Sequence, residues 1–510
     1  LPGESFPVLL RDRGRLGPPP VCPEGTTSAA CMTHSPILPI IATTANSVNI
    51  FHPDIEVSFS RSYTIGLQRS LSRDMAIEAR YVGTRNANGW TEENYNEINI
   101  QENGFFEEFK LAMANLQSHV AAGCGQTGNP ACSFAYRGPG TGTSPLPIYL
   151  AYLTATPLGL AGDASRYTGT SWTSNNFLSA LNSRNPSPTT PAGTDSNSGL
   201  RGSSTRRNNA LAAGVPANYF ILNPDVSSAN VTKSASFTKY HSLQIDLRRR
   251  TSRGLYLNFN YTFSRRWGSS FDGQHYGRIL TRSTGAPHAF KTNWTYEVPV
   301  GQGKRFGTNM GTWLDTIVGG WEFSGTGRFQ SRLMNLGNVR LIGMTMDELQ
   351  KEFHIRFETG TDGVRRVYML PEDIRTNTRR AFSTSATSAN GYSTTLGAPE
   401  GRYIAPANSP GCIQLRSGDC AQRQNFINGP WFTRFDVSFK KRFRLSALSR
   451  RASAELTFDL LNVLDNVNFN PVANPGSGSS IFEVTSAYTD SSNTFDPGGR
   501  LGQVVWRVSW

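Results

Sequence analysis

Nowhere in the 510-residue chain do about eighteen apolar residues run together, which excludes a helical membrane span. Little in it can carry covalent chemistry either. The seven histidines, at 34, 52, 119, 241, 275, 288 and 354, show neither HxH nor HExxH spacing, and no GxSxG occurs. Gly301 to Gly307, GQGKRFG, approaches a phosphate loop but lacks the GK[ST] ending and the strand-then-helix setting, so it reads as a flexible turn. No enzymatic activity, metal or cofactor is therefore expected. Acidic residues are outnumbered 37 to 50, a net charge of +13. The excess is scattered, densest at Arg248–Arg250 and Lys440–Arg442, and suits anionic lipid head groups at strand ends better than nucleic acid. Cysteine is scarce, and none of the six lies in a CxxC. They fall in three local pairs, Cys22 with Cys31, Cys124 with Cys132, and Cys412 with Cys420, each in a Pro/Gly/Ser-rich stretch. These read as loop disulfides, which need the periplasm or the cell surface.

Long amphipathic strands are what the chain does contain. In GLYLNFNYTFSRRW, from Gly254 to Trp267, Leu255, Leu257, Phe259, Tyr261 and Phe263 alternate with polar Asn258, Asn260, Thr262 and Ser264. Strict alternation is the period of a strand, and about ten such residues tilted by roughly 45° cross a bilayer core. Mean hydropathy is only −0.38, but a β-barrel dilutes its apolar residues with lumen-facing polar ones and escapes a hydropathy test. Phe, Tyr and Trp make up 11% of the chain, which fits a barrel with aromatic girdles.

Eight further stretches repeat the pattern, near Tyr63–Leu67, Met75–Tyr81, Leu243–Leu247, Phe290–Val298, Trp321–Gln330, Trp431–Lys440, Ala454–Leu460 and Val504–Trp510. Leu456, Phe458 and Leu460 join the residues from Leu255 to Phe263 as candidate lipid-facing positions, while Arg434, Asp436, Glu455 and Asp459 are candidate lumen-facing ones. Cross-strand pairing is the ordinary role of these charges, and substrate gating the sharper alternative. Short connections alternate with long ones, which fill about 86–238, 268–286, 333–429 and 466–499. That asymmetry predicts an all-β, antiparallel transmembrane β-barrel in the outer membrane, with short periplasmic turns and long extracellular loops. Within the loops, Phe105, Phe109, Ala112, Leu116 and Val120 form one helical stripe, and Thr345 with Glu348 has capping-box spacing.

Pro-rich residues 1–40 lack alternation, and residues 1–53 read as an extracellular segment, with 54–510 forming the barrel portion. The opening LPGESFPVLL has no basic region or long apolar core of an export signal. Nine strands is an odd number, whereas single-chain bacterial barrels have an even one, so the chain is expected to be the C-terminal part of a larger barrel. The closing strand, with Trp506, Val508 and terminal Trp510 on one face, resembles the signal read by the barrel-assembly machinery.

Several long motifs, in order, resemble one family. PDIEVSFSRSYTIGLQRSLSRDMAIEARYVGTR, ENGFFEEFKLAMANLQSHVAAGCG, GPGTGTSPLPIYLAYL, HAFKTNWTYEVPVGQGKRF, GGWEFSGTGRFQS, MTMDELQKEF and FDLLNVLDNVNFNP are similar to Oar-like TonB-dependent outer-membrane receptors, the type with a carboxypeptidase-regulatory-like domain. The resemblance implies a barrel of about 22 strands closed by a plug, with energy relayed through TonB. No stretch matches the family's regulatory domain, TonB box or plug. The expected function is uptake (or export) of an unidentified ligand. Expected partners are outer-membrane lipid and lipopolysaccharide, the barrel-assembly machinery, and TonB through an N-terminal region that this sequence does not contain. Two alternatives stand beside it: a structural or adhesive surface protein assembling through its loops, and a passive porin.

Overall fold

In the computed structural model the described residues are 47–125, 129–182, 184, 199–271, 278–360, 362–385, 388, 390–409, 412–415, 418–444, 452–489 and 498–509. Each of the nine alternating stretches lies in a strand. These are β1 Phe59–Ser70, β2 Met75–Asn94, β3 Ser228–Ser252, β4 Leu255–Phe271, β5 His288–Glu297, β6 Trp321–Asn335, β7 Phe426–Arg444, β8 Ser453–Leu461 and β9 Leu501–Ser509. Every one pairs antiparallel with its neighbours in sequence, giving a single up-and-down wall in which β1 and β9 are the outermost members. The meander puts the short links 71–74, 253–254, 298–320 and 445–452 at one end. The long connections 95–227, 272–287, 336–425 and 462–500 lie at the other. Between β3 and β4, Arg253 and Gly254 both have positive φ, 52° and 81°, as a two-residue hairpin turn requires.

The strands outrun the alternating pattern that predicts them. β2 has 20 residues and β3 has 25, so at about 3.4 Å each they exceed any bilayer core and carry the hairpin well past it. The predicted loop 86–238 therefore narrows to 95–227. The loop predicted at 268–286 keeps strand to Phe271, and Arg278–Arg282 pairs back onto β4. Bulges at Asn86/Gly89 and Gly89/Trp90 on β2, and Lys233 among Ala229, Val231, Ala235 and Phe237 on β3, interrupt the period-two alternation at these ends. Ser47–Phe51, inside the stretch read as an extracellular segment, pairs parallel with Ser228–Thr232 on the same hairpin.

No helix among the described residues is long and apolar enough to cross a membrane. The helices serve two hydrophobic cores, both built almost wholly from the long connections. In 95–227, α1 Phe105–Ala121, α2 Pro147–Thr154, α3 Asn175–Asn182 and α4 Ser204–Ala212 enclose Phe109, Phe134, Tyr149, Trp172 and Phe177. One short helix, α5 Thr312–Val318, belongs to the opposite end. The second core gathers α6 Met346–Glu352, α7 Glu372–Phe382 and Ile404 together with Ile481, Phe482 and Val484 of the last connection. Thr345 and Glu348 complete both halves of the capping box on α6.

The wall itself has no such core. Ile65 (72% exposed), Leu67 (75%), Val504 (65%) and Trp506 (57%) project from its outermost strands, and Phe439 and Phe458 in its middle are also exposed. A soluble sandwich would bury this face against a second sheet; here it is left open.

Candidate functional site

Strand register places one residue from each of five strands in a single row on the polar face. Asp246 lies opposite Asn260, Asn260 opposite Lys291, Lys291 opposite Arg328, and Arg328 opposite Arg434. The next row runs Arg248, Asn258, Asn293, Thr326 and Asp436. Apart from Asp246 and Arg248, these residues floor a cavity of ≈ 420 Å³ whose rim includes Phe432 and, from the last connection, Tyr488. The cavity thus lies on the polar side of the wall, with Tyr488 over it. Near one end of the first row Arg80 donates to Asp246 at 2.9 Å. Towards the other, Lys291, Arg328 and Arg434 bring three cations together against one carboxylate, Asp436. Arg434 Nε donates to Asp436 at 3.0 Å, and the Arg328 guanidinium lies 5.0 Å from the centre of the Phe432 ring. Lys291 is exposed to the cavity.

Of the lumen-facing positions predicted from sequence, Arg434 and Asp436 line the cavity. Glu455 sits further along the same face, 3.2 Å from Arg442 and 3.8 Å from Lys440. Asp459 stands on that face opposite Ser438 and Gln503. Asn260, Lys291 and Arg328 escaped the reading: their polar face is evident in the alternation, but which residues become neighbours depends on register, and register was not legible. On the opposite face, Leu257, Phe259, Tyr261 and Phe263 stand across from Trp294, Thr292, Phe290 and His288, and Leu255 from Tyr296. Leu456, Phe458 and Leu460 stand across from Lys441, Phe439 and Val437. Trp506 and Val508 continue this face on β9.

Asp436 also has a structural task. Its carboxylate accepts the backbone N–H of Asn462 at 2.7 Å, just where β8 ends. Beyond that point the chain leaves the wall, and asparagine side chains take over the pairing that a strand would have made. Asn468 Nδ2 donates to Thr433 O at 2.9 Å while its Oδ1 accepts from Thr433 N at 2.8 Å. Asn466 Nδ2 also reaches Thr433 O, at 3.3 Å. This is the physical content of the NVLDNVNFN motif: amides satisfy a strand edge that would otherwise be unpaired. The last connection then overhangs the cavity, with the Tyr488 ring edge-on to Phe432 at 5.0 Å.

Above the wall the connections interlock. Met369 N donates to Phe482 O at 2.9 Å and Val484 N to Val367 O at 2.8 Å, joining the last connection to 336–425. Ile413 and Leu415 pack on the core of 95–227, so the connection 336–425 reaches the first core as well. Two predicted disulfides are formed here, Cys124–Cys132 and Cys412–Cys420. Cys22, Cys31 and Trp510 lie outside the described residues. No group of three or more His, Cys, Asp or Glu among the described residues could hold a metal.

One buried acid tunes the cap. Glu108 on α1 accepts the N–H groups of Ile148 (3.0 Å) and Tyr149 (2.8 Å), two of the orphan donors that begin α2. Burial pushes its carboxyl up to about 7, against the pull of those two donors. Between the ordinary value of 4.5 and about 7 the folded state then holds more protons than the unfolded one. Its contribution is fully present below 4.5 and is lost as pH rises through 7, by on the order of 3 kcal/mol. Glu108→Gln is expected to remove that slope, seen as the difference between wild-type and variant denaturation midpoints of 95–227 at pH 4.5 and pH 8. Parallel profiles would show that Glu108 does not titrate in this window.

A sheet polar on one face, apolar and uncovered on the other, with short turns at one end and large folded connections at the other, defines the class: an outer-membrane β-barrel protein. The chain belongs to the outer membrane beta barrel domain family, whose profile matches residues 18–503. No curated protein sequence matches it. Among solved structures it is similar to the outer membrane transporter YddB from Escherichia coli, at 8% identity and a TM-score of 0.30. That match covers 92% of this chain and 35% of the transporter, so the chain spans about a third of its length.

Proposed function

We propose that the chain forms wall and mouth of a TonB-dependent receptor of the Oar-like type, which moves an unidentified ligand across the outer membrane. The observation that carries this reading is the cationic row Lys291, Arg328 and Arg434, held on the polar face beside connections that fold around cores of their own. Support for the TonB-dependent type comes from the motif resemblance. In this reading the apolar face meets lipid and lipopolysaccharide, the long connections are extracellular, the short links are periplasmic, and β9 is read by the barrel-assembly machinery. The free edges of β1 and β9 pair with further strand to close the barrel, because hydrocarbon offers unpaired backbone no partner. No residue performs covalent chemistry. TonB acts through an N-terminal region outside these 510 residues.

Planar-bilayer recording of the full-length protein purified from outer membranes tests this. A closed barrel that binds the isolated periplasmic domain of TonB is expected. A steady open channel indifferent to TonB would replace this reading with a passive porin. The interlocked connections favour one other alternative, an adhesive surface protein, which would show as loop-to-loop cross-links between copies with no TonB binding.

A further inference from the structure

The link between β5 and β6, which reads in sequence as a flexible glycine-rich turn, is a built element. Gly301 N donates to Phe306 O at 2.9 Å, Gln302 N to the Asp315 carboxylate at 2.6 Å, and Gln302 Nε2 to Met310 O at 2.7 Å. This lattice supports α5, whose apolar side chains are turned outward: Trp313 (76% exposed), Ile317 (50%) and Leu314 (45%), with Phe306 (56%) beside them. Nothing in 299–320 needs those four residues exposed if the link merely joins two strands.

Two side chains fix where this apolar face lies. Trp321 and Lys441 stand opposite each other in register, one step from the pair Phe323 and Phe439, and the next residue pair, Glu322 with Lys440, points the other way. Both therefore belong to the apolar face of the wall. Trp321 Nε1 donates to Ile317 O at 3.0 Å, and the Lys441 ammonium, almost fully buried, donates to the carbonyl of Gly319. Lys441 thus caps the C-terminus of α5 where helix carbonyls lack partners. A lysine on a lipid-directed face would ordinarily be costly; here its charge is spent on the link. The helix is consequently held against the apolar side of the wall at its short-turn end, not beneath the lumen.

We infer that residues 299–320 form an interfacial foot, seated in the inner leaflet of the outer membrane at the boundary between phospholipid head groups and acyl chains. Two features select lipid as the occupant. The exposed residues Phe306, Trp313, Leu314 and Ile317 continue the apolar wall face through Trp321 and Phe323, so one surface runs from strand to foot. Beside it the Arg305 guanidinium lies 5.4 Å from the centre of the Phe306 ring, a cation at the edge of the apolar face, which complements anionic phospholipid. An apolar ring set about 5–10 Å into the interface, with cations at the head groups, is how surface-lying helices bind membranes. The foot would set the depth of β5, β6 and β7 in the bilayer.

This inference rests on the apolar face of the wall meeting lipid, so the test carries a position for each. Single cysteines replace Trp313, Ile317 and, on the wall, Phe458; each is labelled with an environment-sensitive fluorophore in the full chain, refolded into phosphatidylethanolamine–phosphatidylglycerol vesicles, with the unsubstituted protein as labelling control. At 313 and 317 the expected result is blue-shifted emission and several-fold protection from iodide. Nitroxide on the head-proximal acyl carbons should quench these sites more than mid-chain nitroxide, while 458 should favour the deeper probe. Labels at 313 and 317 that iodide quenches as fast as a fluorophore–glutathione adduct in water, with 458 still quenched by lipid, would overturn the foot alone. Loss of lipid quenching at 458 as well would overturn the lipid-facing wall. Protection that appears only at high protein-to-lipid ratio would mean that a second copy covers the foot, and would also overturn the proposal.

Discussion

Gly327→Ala is expected to destabilise the wall by about 1–3 kcal/mol, the usual cost of forcing a methyl into a filled space, and Phe435→Ala is expected to relieve most of that cost. A Cβ on Gly327 would come 2.4 Å from Phe435 Cε1 and 2.9 Å from Thr292 Cγ2, because the Phe435 ring lies across the glycine from the adjacent strand. The same arrangement recurs where Tyr63 covers Gly83, with Tyr63 Cζ 2.3 Å from the position of an added Cβ. Glycine here is a seat for a cross-strand ring, a device that pins register as firmly as a hydrogen-bond pair. Gly325 differs in a way that sharpens the test. An added Cβ would meet Trp294 Cζ2 at 2.5 Å and also Asp436 O at 2.6 Å, and a carbonyl in a ladder cannot turn aside. Gly325→Ala should therefore resist rescue by Trp294→Ala, whereas the Gly327 and Phe435 changes should couple strongly in a double-mutant cycle. Folded and unfolded barrel can be separated by heat-modifiable electrophoretic mobility across a denaturant series. Additive effects of Gly327→Ala and Phe435→Ala would refute the ring-on-glycine account.

Those glycines mark the boundary of what could be read without coordinates. From Leu255 to Phe263 the alternation is strict, and the strand is there because each side of that ribbon meets a different surrounding. The same logic located α1, whose stripe Phe105, Phe109, Ala112, Leu116 and Val120 is fully buried, and the cap of α6, since both signals involve residues within a turn or two of each other. Register was out of reach, and with it the row from Asp246 to Arg434, because a one-residue slip preserves every local pattern while changing every neighbour. The outer ends of β2 and β3 were missed for a related reason. There bulges on β2 and Lys233 among the apolar residues of β3 break the alternation, and the hairpin is held by its ladder and by pairs such as Glu93 with Lys233. In the foot, composition misled: Gly301, Gly303 and Gly307 do take positive φ, as a flexible turn would. What makes the segment rigid comes from Asp315 within it and from Lys441 and Trp321 on the neighbouring strands.

Phe134→Ala is expected to unfold the 95–227 module while leaving the wall assembled. Phe134 is the hub of its core, with ring centres 5.2 Å from Tyr149, 4.9 Å from Trp172 and 5.8 Å from Phe177, and it is completely buried. Truncating such a residue costs about 3–5 kcal/mol through lost transfer energy and an unfilled cavity. That is comparable with the whole stability of a module this size. The site also lies two residues beyond Cys132, so the Cys124–Cys132 bond anchors the segment that delivers the ring. Because this core contains none of the apolar residues of the wall, the loss should stay local, as it does when a protein is built from separately cooperative parts. Protease added to intact cells should cut the variant within 95–227 several-fold faster than the wild type, with heat-modifiable mobility unchanged. A smaller increase is expected in 336–425, since Ile413 and Leu415 lean on the first core and Asn182 Nδ2 reaches Gly391 O at 3.5 Å. Simultaneous loss of the wall at the same denaturant concentration would show that cap and barrel fold as one unit. The long connections could then not vary without risking the barrel. Local loss would mean that the wall, with its cationic row, is a scaffold on which the folded connections vary independently.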